Sequence, residues 1–250
     1  MRHFLPVGPT SIAGAAIGVK LNRMFCDHFS RSLTSTLAGL ALMAGAIATP
    51  AQACTTGLVL AIDVSNSIDS GEYRIQAEGL ADALLDPEIR EALVAGEVAL
   101  TVIQWSGVGR QEITIPWRRM KTEADVLAIS EQARQMRRAF IMSDTAVGDI
   151  VRFSLRQFAA VPDCARHVID ISGDGTDNAG TDPTGARYDA EAQGVQINAL
   201  AIEGLGVSIS NFFRRRVITR DGFVMTARGH STYAETLRRK IKREVSQVMF

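Results

Sequence analysis

The chain has 250 residues, and its 27 basic and 27 acidic side chains give a formal net charge of zero. Such a balance offers no long-range attraction for polyanions, so we expect no nucleic-acid partner. Hydrophobic residues make up 46% of the chain, which is ordinary for a folded globular protein and too high for a disordered one.

The first 53 residues have the features of an export signal. Residues 33–47 are apolar, follow basic residues and precede Ala51-Gln52-Ala53. A basic flank, a short apolar core and an Ala-x-Ala site are typical of a secretory signal peptide. The apolar run is shorter than the roughly 20 residues that a transmembrane helix needs. We therefore predict cleavage after Ala53, no membrane span, and a periplasmic or secreted protein.

Cleavage at this position would leave residues 54–250, which we expect to form a single, monomeric domain of ordinary size. Cys54 would then be the first residue. A lipid anchor on Cys54 is the alternative, although Ala51-Gln52-Ala53 matches a Leu-Ala-Gly lipobox poorly. The sequence leaves open whether translation starts at Met1 or Met24.

The first predicted strand ends in a polar turn. Residues 57–62 are apolar without helical spacing, which predicts a strand buried on both faces. Asp63, Ser65 and Ser67 follow at alternate positions. Hard oxygen ligands suit a cation such as Mg²⁺, and open α/β sheets bind ligands at the carboxyl ends of their strands. A turn that merely caps the following helix is the alternative.

Downstream, helical patterns alternate with short apolar runs. We predict strands at 98–103, 112–116, 166–171, 195–202 and 223–226, and helices at 70–85, 122–138, 145–158, 183–193, 211–216 and 231–248. Ser70 is the predicted N-cap of the first helix, and Pro116 suits an edge strand. The alternation predicts an α/β protein with a doubly wound, mostly parallel sheet and helices on both faces.

The last predicted helix carries a run of basic side chains, Arg238, Arg239, Lys240, Lys242 and Arg243. We interpret this run as the solvated outer face of an amphipathic helix. An anionic partner is the alternative.

The segment Asp63-Val64-Ser65-Asn66-Ser67 resembles the opening motif of the metal-ion-dependent adhesion site in von Willebrand factor type A (vWA) domains. In that family, a threonine and an aspartate from two later loops complete the site. Thr145 and Asp174 match these positions in order and approximate spacing. The sequences of residues 104–107 and 169–175 further resemble those of an exported bacterial branch of this family, whose function is uncharacterised. That branch usually has glycine at the position of Asn66.

The resemblance implies that Asp63, Ser65, Ser67, Thr145 and Asp174 bind one divalent cation, with Mg²⁺ favoured over Mn²⁺ or Ca²⁺. It implies that an Asp or Glu of a partner protein fills the open coordination position. It also implies that the short strand at 112–116 is an antiparallel edge strand. Four further aspartates near this site could tune it or simply be solvated: Asp144, Asp149, Asp177 and Asp182.

Removal of the leader would leave two cysteines. Cys54 lies nine residues before Asp63, and Cys164 lies ten before Asp174. If both aspartates end adjacent parallel strands, both cysteines lie at the other edge of the sheet. This geometry and an oxidising compartment favour a disulfide, and two free thiols are the alternative.

We expect no enzyme. After the leader the chain has only His167 and His230, neither in a nucleophile motif, and we expect His167 to be structural. No glycine-rich nucleotide-binding motif follows a predicted strand. A metal-dependent phosphoester hydrolase is the enzymatic alternative, and a metal-free structural scaffold of the same fold is the third hypothesis.

Overall fold

The computed structural model describes residues 54–246. The predicted leader and its cleavage site lie outside these residues. Within the described range, no helix combines the length and the apolar character that crossing a membrane requires.

The core of the fold is one six-stranded sheet. Its strands are β1 (Thr56–Asp63), β2 (Ala99–Trp105), β3 (Gln111–Arg119), β4 (Arg166–Gly173), β5 (Val195–Glu203) and β6 (Val224–Arg228). They lie in the order β3-β2-β1-β4-β5-β6. All neighbours are parallel except β2 and β3, which are antiparallel at one edge. The predicted sheet is confirmed, and its edge strand β3 is longer than the predicted 112–116.

Helices cover both faces of the sheet. They are α1 (Ser70–Leu85), α2 (Pro87–Ala95), α3 (Glu123–Gln135), α4 (Val147–Gln157), α5 (Pro183–Ala192), α6 (Ser208–Phe212) and α7 (Tyr233–Ser246). A π-helical turn over Phe213–Val217 continues α6. The apolar residues of α1, α2, α3 and α7 form one core with the sheet, and those of α4 and α5 form a second. The predicted doubly wound α/β architecture is therefore present.

The first helix begins differently from the prediction. Its N-cap is Asp69, whose carboxylate accepts a hydrogen bond of 2.8 Å from Glu72 N, while Glu72 Oε2 accepts one of 2.8 Å from Asp69 N. This reciprocal pair is a capping box, so the prediction of Ser70 as the N-cap is wrong. α1 ends at Leu85, as predicted. Pro87 then begins α2, which was not predicted, because proline fits the first helical position and Asp86 caps the helix.

The direction of the strand order reverses at β1. The chain passes from β1 to β2 on one side and later places β4 on the other side. Ile62 therefore lies between Gln104 of β2 and Ser172 of β4. Loops that leave this edge diverge and open a crevice, which is where such sheets bind ligands.

A disulfide joins Cys54 to Cys164 at the amino ends of β1 and β4, opposite the crevice, with their Cα atoms 4.4 Å apart. The predicted pairing is present, and the alternative of two free thiols is wrong. The parallel pairing of β1 with β4 explains the contact, because Thr56 lies opposite Arg166 and each cysteine shortly precedes its strand.

The basic run of α7 is not wholly solvated. Arg238 and Arg239 are exposed, but Lys240 is fully buried. Its Nζ contacts Asp170 Oδ1 of β4 and lies 2.6 Å from Glu244 Oε1. The prediction fails for Lys240 because it lies on the face of α7 that packs against the sheet. Burial, reinforced by the neighbouring charge of Asp170, raises the pKa of Glu244 to about 8.

Candidate metal centre

Asp63 is the last residue of β1 and is completely buried. Its Oδ1 accepts a hydrogen bond of 2.7 Å from Ser65 N, whereas its Oδ2, among the described residues, has no hydrogen-bond partner. Burial raises the pKa of this carboxyl to about 7, and the charge of Asp174 acts in the same direction. An unpaired buried carboxylate oxygen is costly, and a cation would offset that cost.

The two serines connect Asp63 to the loop that follows β4. Ser65 is buried, and its Oγ lies 3.2 Å from Ser67 Oγ. Ser67 Oγ in turn donates a hydrogen bond of 2.5 Å to Asp174 Oδ1. Half-buried Asp174 has its pKa raised, mainly by burial, although the bond from Ser67 opposes this shift. Oxygen atoms that could serve as metal ligands thus run without a break from the first loop to the second.

Thr145 enters from a third loop, just before α4. It is buried, and its N–H donates to Asn178 Oδ1 at 2.8 Å while its carbonyl accepts from Asn178 N at 3.0 Å. A Cβ atom at Gly175 would lie 3.5 Å from Thr145 Oγ1 and 3.9 Å from Ser67 Oγ. Thr145 Oγ1 therefore faces the same small space as the first loop. Contrary to the prediction, Thr145 precedes the helix, which begins at Val147.

Gly173 keeps space open beside Asp63. A Cβ atom at this position would lie 3.0 Å from Asp63 Oδ2, so only glycine leaves the unpaired oxygen free of contact. The structure therefore brings the five predicted residues together at one edge of the sheet: Asp63, Ser65, Ser67, Thr145 and Asp174. Their donors are all carboxylate and hydroxyl oxygens, which is the set that hard divalent cations prefer.

Two further residues hold these loops, and no sequence motif marked them. Arg138 Nη2 donates to the carbonyls of Val64 and Ser65 at 3.0 and 2.8 Å, which fixes the backbone of the first loop. The carbonyl of Ser143 accepts from Asn66 N at 2.9 Å. Both contacts join positions that are remote in sequence, so only the tertiary structure shows them.

Three of the four nearby aspartates position loops. Asp177 Oδ1 accepts from Val147 N at 2.8 Å, at the start of α4. Asp149 Oδ1 accepts from Thr181 N at 2.9 Å, and Asp182 caps α5 through Gly185 N at 3.0 Å. Asp144 is exposed. These hydrogen bonds give Asp149, Asp177 and Asp182 a structural role in holding the loops near the site.

A second group of potential ligands adjoins Asp174. Glu72, Asp174 and His230 each offer one ligand atom, and these atoms lie within 4.8 Å of one another. Glu72 Oε1 lies 2.9 Å from His230 Nδ1, while Glu72 Oε2 serves the cap of α1. No sequence motif assigned a role to His230. The structure places its imidazole beside the carboxylate of the predicted site.

A family model described as "Protein of unknown function (DUF1194)" matches residues 53–249. The chain belongs to the DUF1194 family. No curated protein matches it.

The DUF1194 chain shares its fold with solved vWA structures. Proximal thread matrix protein 1 from the mussel byssus superposes with a TM-score of 0.58 at 20% identity, covering 75% of this chain and 47% of that one. A structure of the same protein "with zinc occupied MIDAS motif", where MIDAS stands for metal-ion-dependent adhesion site, gives the same TM-score, identity and coverage. A von Willebrand factor type A protein from Catenulispora acidiphila gives 0.57 at 18% identity, covering 76% and 43%. The DUF1194 chain is thus vWA-like, and it spans less than half the length of these structures.

Proposed function

We propose that this DUF1194 protein is an exported, non-enzymatic interaction domain. It binds a divalent cation through Asp63, Ser65, Ser67, Thr145 and Asp174, and through the cation an acidic side chain of a partner protein. The observation that carries the proposal is Asp63 Oδ2, a buried carboxylate oxygen that has no hydrogen-bond partner within residues 54–246. It lies where three loops that carry carboxylate and hydroxyl oxygens meet.

The electrostatics of the site favour a bound cation. Asp63 and Asp174 both have raised pKa values, because burial disfavours their charged forms. A divalent cation stabilises both carboxylates, and the hydroxyls of Ser65, Ser67 and Thr145 supply further oxygen ligands. An all-oxygen set favours Mg²⁺, with Mn²⁺ and Ca²⁺ as alternatives. The metal, when bound, supplies a positive centre that attracts a carboxylate of the partner.

The described residues offer little for catalysis. His167 lies at the amino end of β4, on the other edge of the sheet from Asp174; its Nε2 is 3.0 Å from the Val161 carbonyl, and its ring stacks on Phe158 with centroids 4.6 Å apart. His230 is paired with Glu72. Neither is combined with a nucleophile in these contacts, and a metal-dependent phosphoester hydrolase is kept as the enzymatic alternative.

Export to the periplasm or medium is supported by two features. Residues 1–53 have the pattern of a signal peptide, and the Cys54–Cys164 disulfide fits an oxidising compartment. The disulfide uses the Cys54 sulfur that a lipid anchor would need, so we propose a mature, unanchored single domain of residues 54–250.

The test is calorimetric titration of Mg²⁺, Mn²⁺ and Ca²⁺ into the chelator-stripped mature protein. We expect saturable binding at one site by the wild type and none by Asp63→Ala. Asp189→Ala is the matched control, because Asp189 is an exposed aspartate paired with Arg152 on the outer helices. Binding that survives Asp63→Ala would contradict the site. A wild type that binds no cation would favour the metal-free scaffold.

A further inference from the structure

Large apolar side chains are exposed around the proposed metal site. Five of those exposed within residues 54–246 lie in three loops, and we call them the apolar rim. Val108 follows β2, Ile141 and Met142 lie between α3 and α4, and Leu205 and Val207 follow β5. Met142 is 83% exposed and Leu205 is fully exposed, which makes them the two most accessible large apolar residues of the described chain. A partner that covered these side chains would remove their apolar area from water.

Met142 lies directly beside the first metal loop. It lines a cavity of about 250 Å³ together with Asn66, Ser143 and Asp144, and Asn66 lies between Ser65 and Ser67. The turn that carries Val108 joins the same surface, because Gly107 N donates to Ser143 Oγ at 3.1 Å. This part of the rim borders the site on the side of β2.

Leu205 and Val207 lie on the other side of the site in the strand order. They follow β5, which pairs with β4 so that Ala201 lies opposite Gly173, the residue before Asp174. The Gly206 carbonyl accepts from Arg228 Nη1 at 2.7 Å, which ties this loop to β6. The strand order therefore places the five oxygen-donating residues between two apolar loops.

The exposure of Met142 is maintained against local preference. Its φ of 51° lies in the left-handed region, which residues with a Cβ atom rarely adopt. The side chain gains no burial from this conformation, since it projects from the surface. Unbranched methionine adapts well to varied apolar partners, so a partner that covered Met142 would recover hydrophobic free energy that the isolated domain forgoes.

We infer that the partner presents its acidic residue between apolar side chains, so that the carboxylate reaches the metal loops while its neighbours pack on Met142 and Leu205. The inference rests on the proposed function and adds the chemistry of the partner. A segment with polar neighbours would leave both apolar loops in water. A segment without the carboxylate would leave the proposed cation without its partner ligand. A central polar anchor surrounded by apolar contacts that exclude water is also the usual arrangement of a strong interface.

The experiment selects a phage-displayed random heptapeptide library on the mature protein, in Mg²⁺ and in chelator. We expect Mg²⁺-dependent clones to carry Asp or Glu with apolar residues on both sides. A synthetic peptide of the selected sequence should bind Met142→Ser/Leu205→Ser about tenfold more weakly, the effect of losing one strong interface contact. The control, Leu127→Ser/Tyr188→Ser, removes exposed apolar residues from α3 and α5 and should bind normally.

The outcomes separate the inference from the proposed function. Mg²⁺-dependent clones with an acidic residue but without apolar neighbours, or with unchanged affinity for Met142→Ser/Leu205→Ser, overturn the inference and leave the function standing. Failure to obtain acidic, Mg²⁺-dependent clones contradicts both. Calorimetric Mg²⁺ binding and the melting temperature of Met142→Ser/Leu205→Ser should equal those of the wild type, which shows that weaker peptide binding does not reflect unfolding.

Discussion

Ser67 Oγ donates a hydrogen bond of 2.5 Å to Asp174 Oδ1, although 107 residues separate them in the sequence. The contact exists because β1 and β4 are adjacent parallel strands whose loops leave the sheet side by side. It holds one proposed metal ligand against another and keeps the two loops together.

The first prediction concerns the buried charge of Asp63. In chelator, Asp63→Asn should melt at or above the wild-type temperature, because a neutral amide costs less to bury than a carboxylate and is not repelled by the charge of Asp174. Saturating Mg²⁺ should raise the wild-type melting temperature and leave that of Asp63→Asn unchanged. At a hundredfold excess over Kd, the gain in unfolding free energy is about 2.7 kcal/mol. Scanning calorimetry checks this, and a Mg²⁺ response in Asp63→Asn would refute it.

The second prediction uses two neighbouring glycines. The Cβ atom of Gly173→Ala would lie 3.0 Å from Asp63 Oδ2 and should displace this carboxylate, whereas that of Gly175→Ala would make an ordinary contact of 3.5 Å with Thr145 Oγ1. We expect Mg²⁺ affinity to fall about tenfold, or 1.4 kcal/mol, in Gly173→Ala and to stay near wild type in Gly175→Ala. Calorimetric titration measures both. Equal affinities would mean that Asp63 Oδ2 does not face the metal.

The third prediction concerns the cation buried under α7. Lys240→Met should reduce the unfolding free energy by about 3–5 kcal/mol, because it leaves the carboxylate of Asp170 buried without its cation and removes the hydrogen bond that Lys240 Nζ donates to Glu244 Oε1. Lys242→Met is the control, since Lys242 is partly exposed and pairs with Glu88 at the surface, where such pairs contribute about 0–1 kcal/mol. Urea denaturation compares the two. Similar losses in both variants would contradict a special role for Lys240.

The fourth prediction is a pH dependence of stability. The pKa of Glu244 rises from 4.5 to about 8 on folding, so the folded protein holds this proton more tightly than the unfolded chain does. The stabilisation of the folded state by this bound proton is fully present below pH 4.5 and is lost as the pH rises toward 8. Relative to Glu244→Gln, which cannot ionise, the wild type should therefore lose stability as the pH rises from 4.5 to about 8. Urea midpoints in chelator measure the difference, and a constant difference across this range would argue against the protonated carboxyl.

The fifth prediction concerns the disulfide. Cys54→Ser/Cys164→Ser should lose roughly 2–5 kcal/mol of unfolding free energy, because the bond closes a long loop in the unfolded chain. Mg²⁺ affinity should not change, since the disulfide lies at the amino ends of β1 and β4 and the proposed metal site lies at their carboxyl ends. Reduction of the wild type should reproduce both results. A loss of Mg²⁺ affinity at temperatures where the variant stays folded would contradict this separation.

Much of the fold could be predicted because its signals are local. Residues 57–62 are apolar without interruption, as in a strand buried on both faces, and the polar turn at Asp63 follows at once. The start of α1 shows the limit of such signals. Asp69 and Glu72, three residues apart, form the capping box. The predicted N-cap, Ser70, lies one residue after the actual N-cap, Asp69.

The sequence by itself determined the alternation of strands and helices, because periodicity is a property of consecutive residues. Its cysteine spacing predicted the disulfide, and its resemblance to vWA domains implied the five residues of the proposed metal site. Only the tertiary structure decided that Arg138 holds the loop after β1, that His230 lies beside Asp174, and that Lys240 is buried with Asp170 and Glu244. Those contacts depend on which strands are neighbours and on which face of a helix meets the sheet. Packing of the whole chain sets both, and no local pattern in the sequence records them.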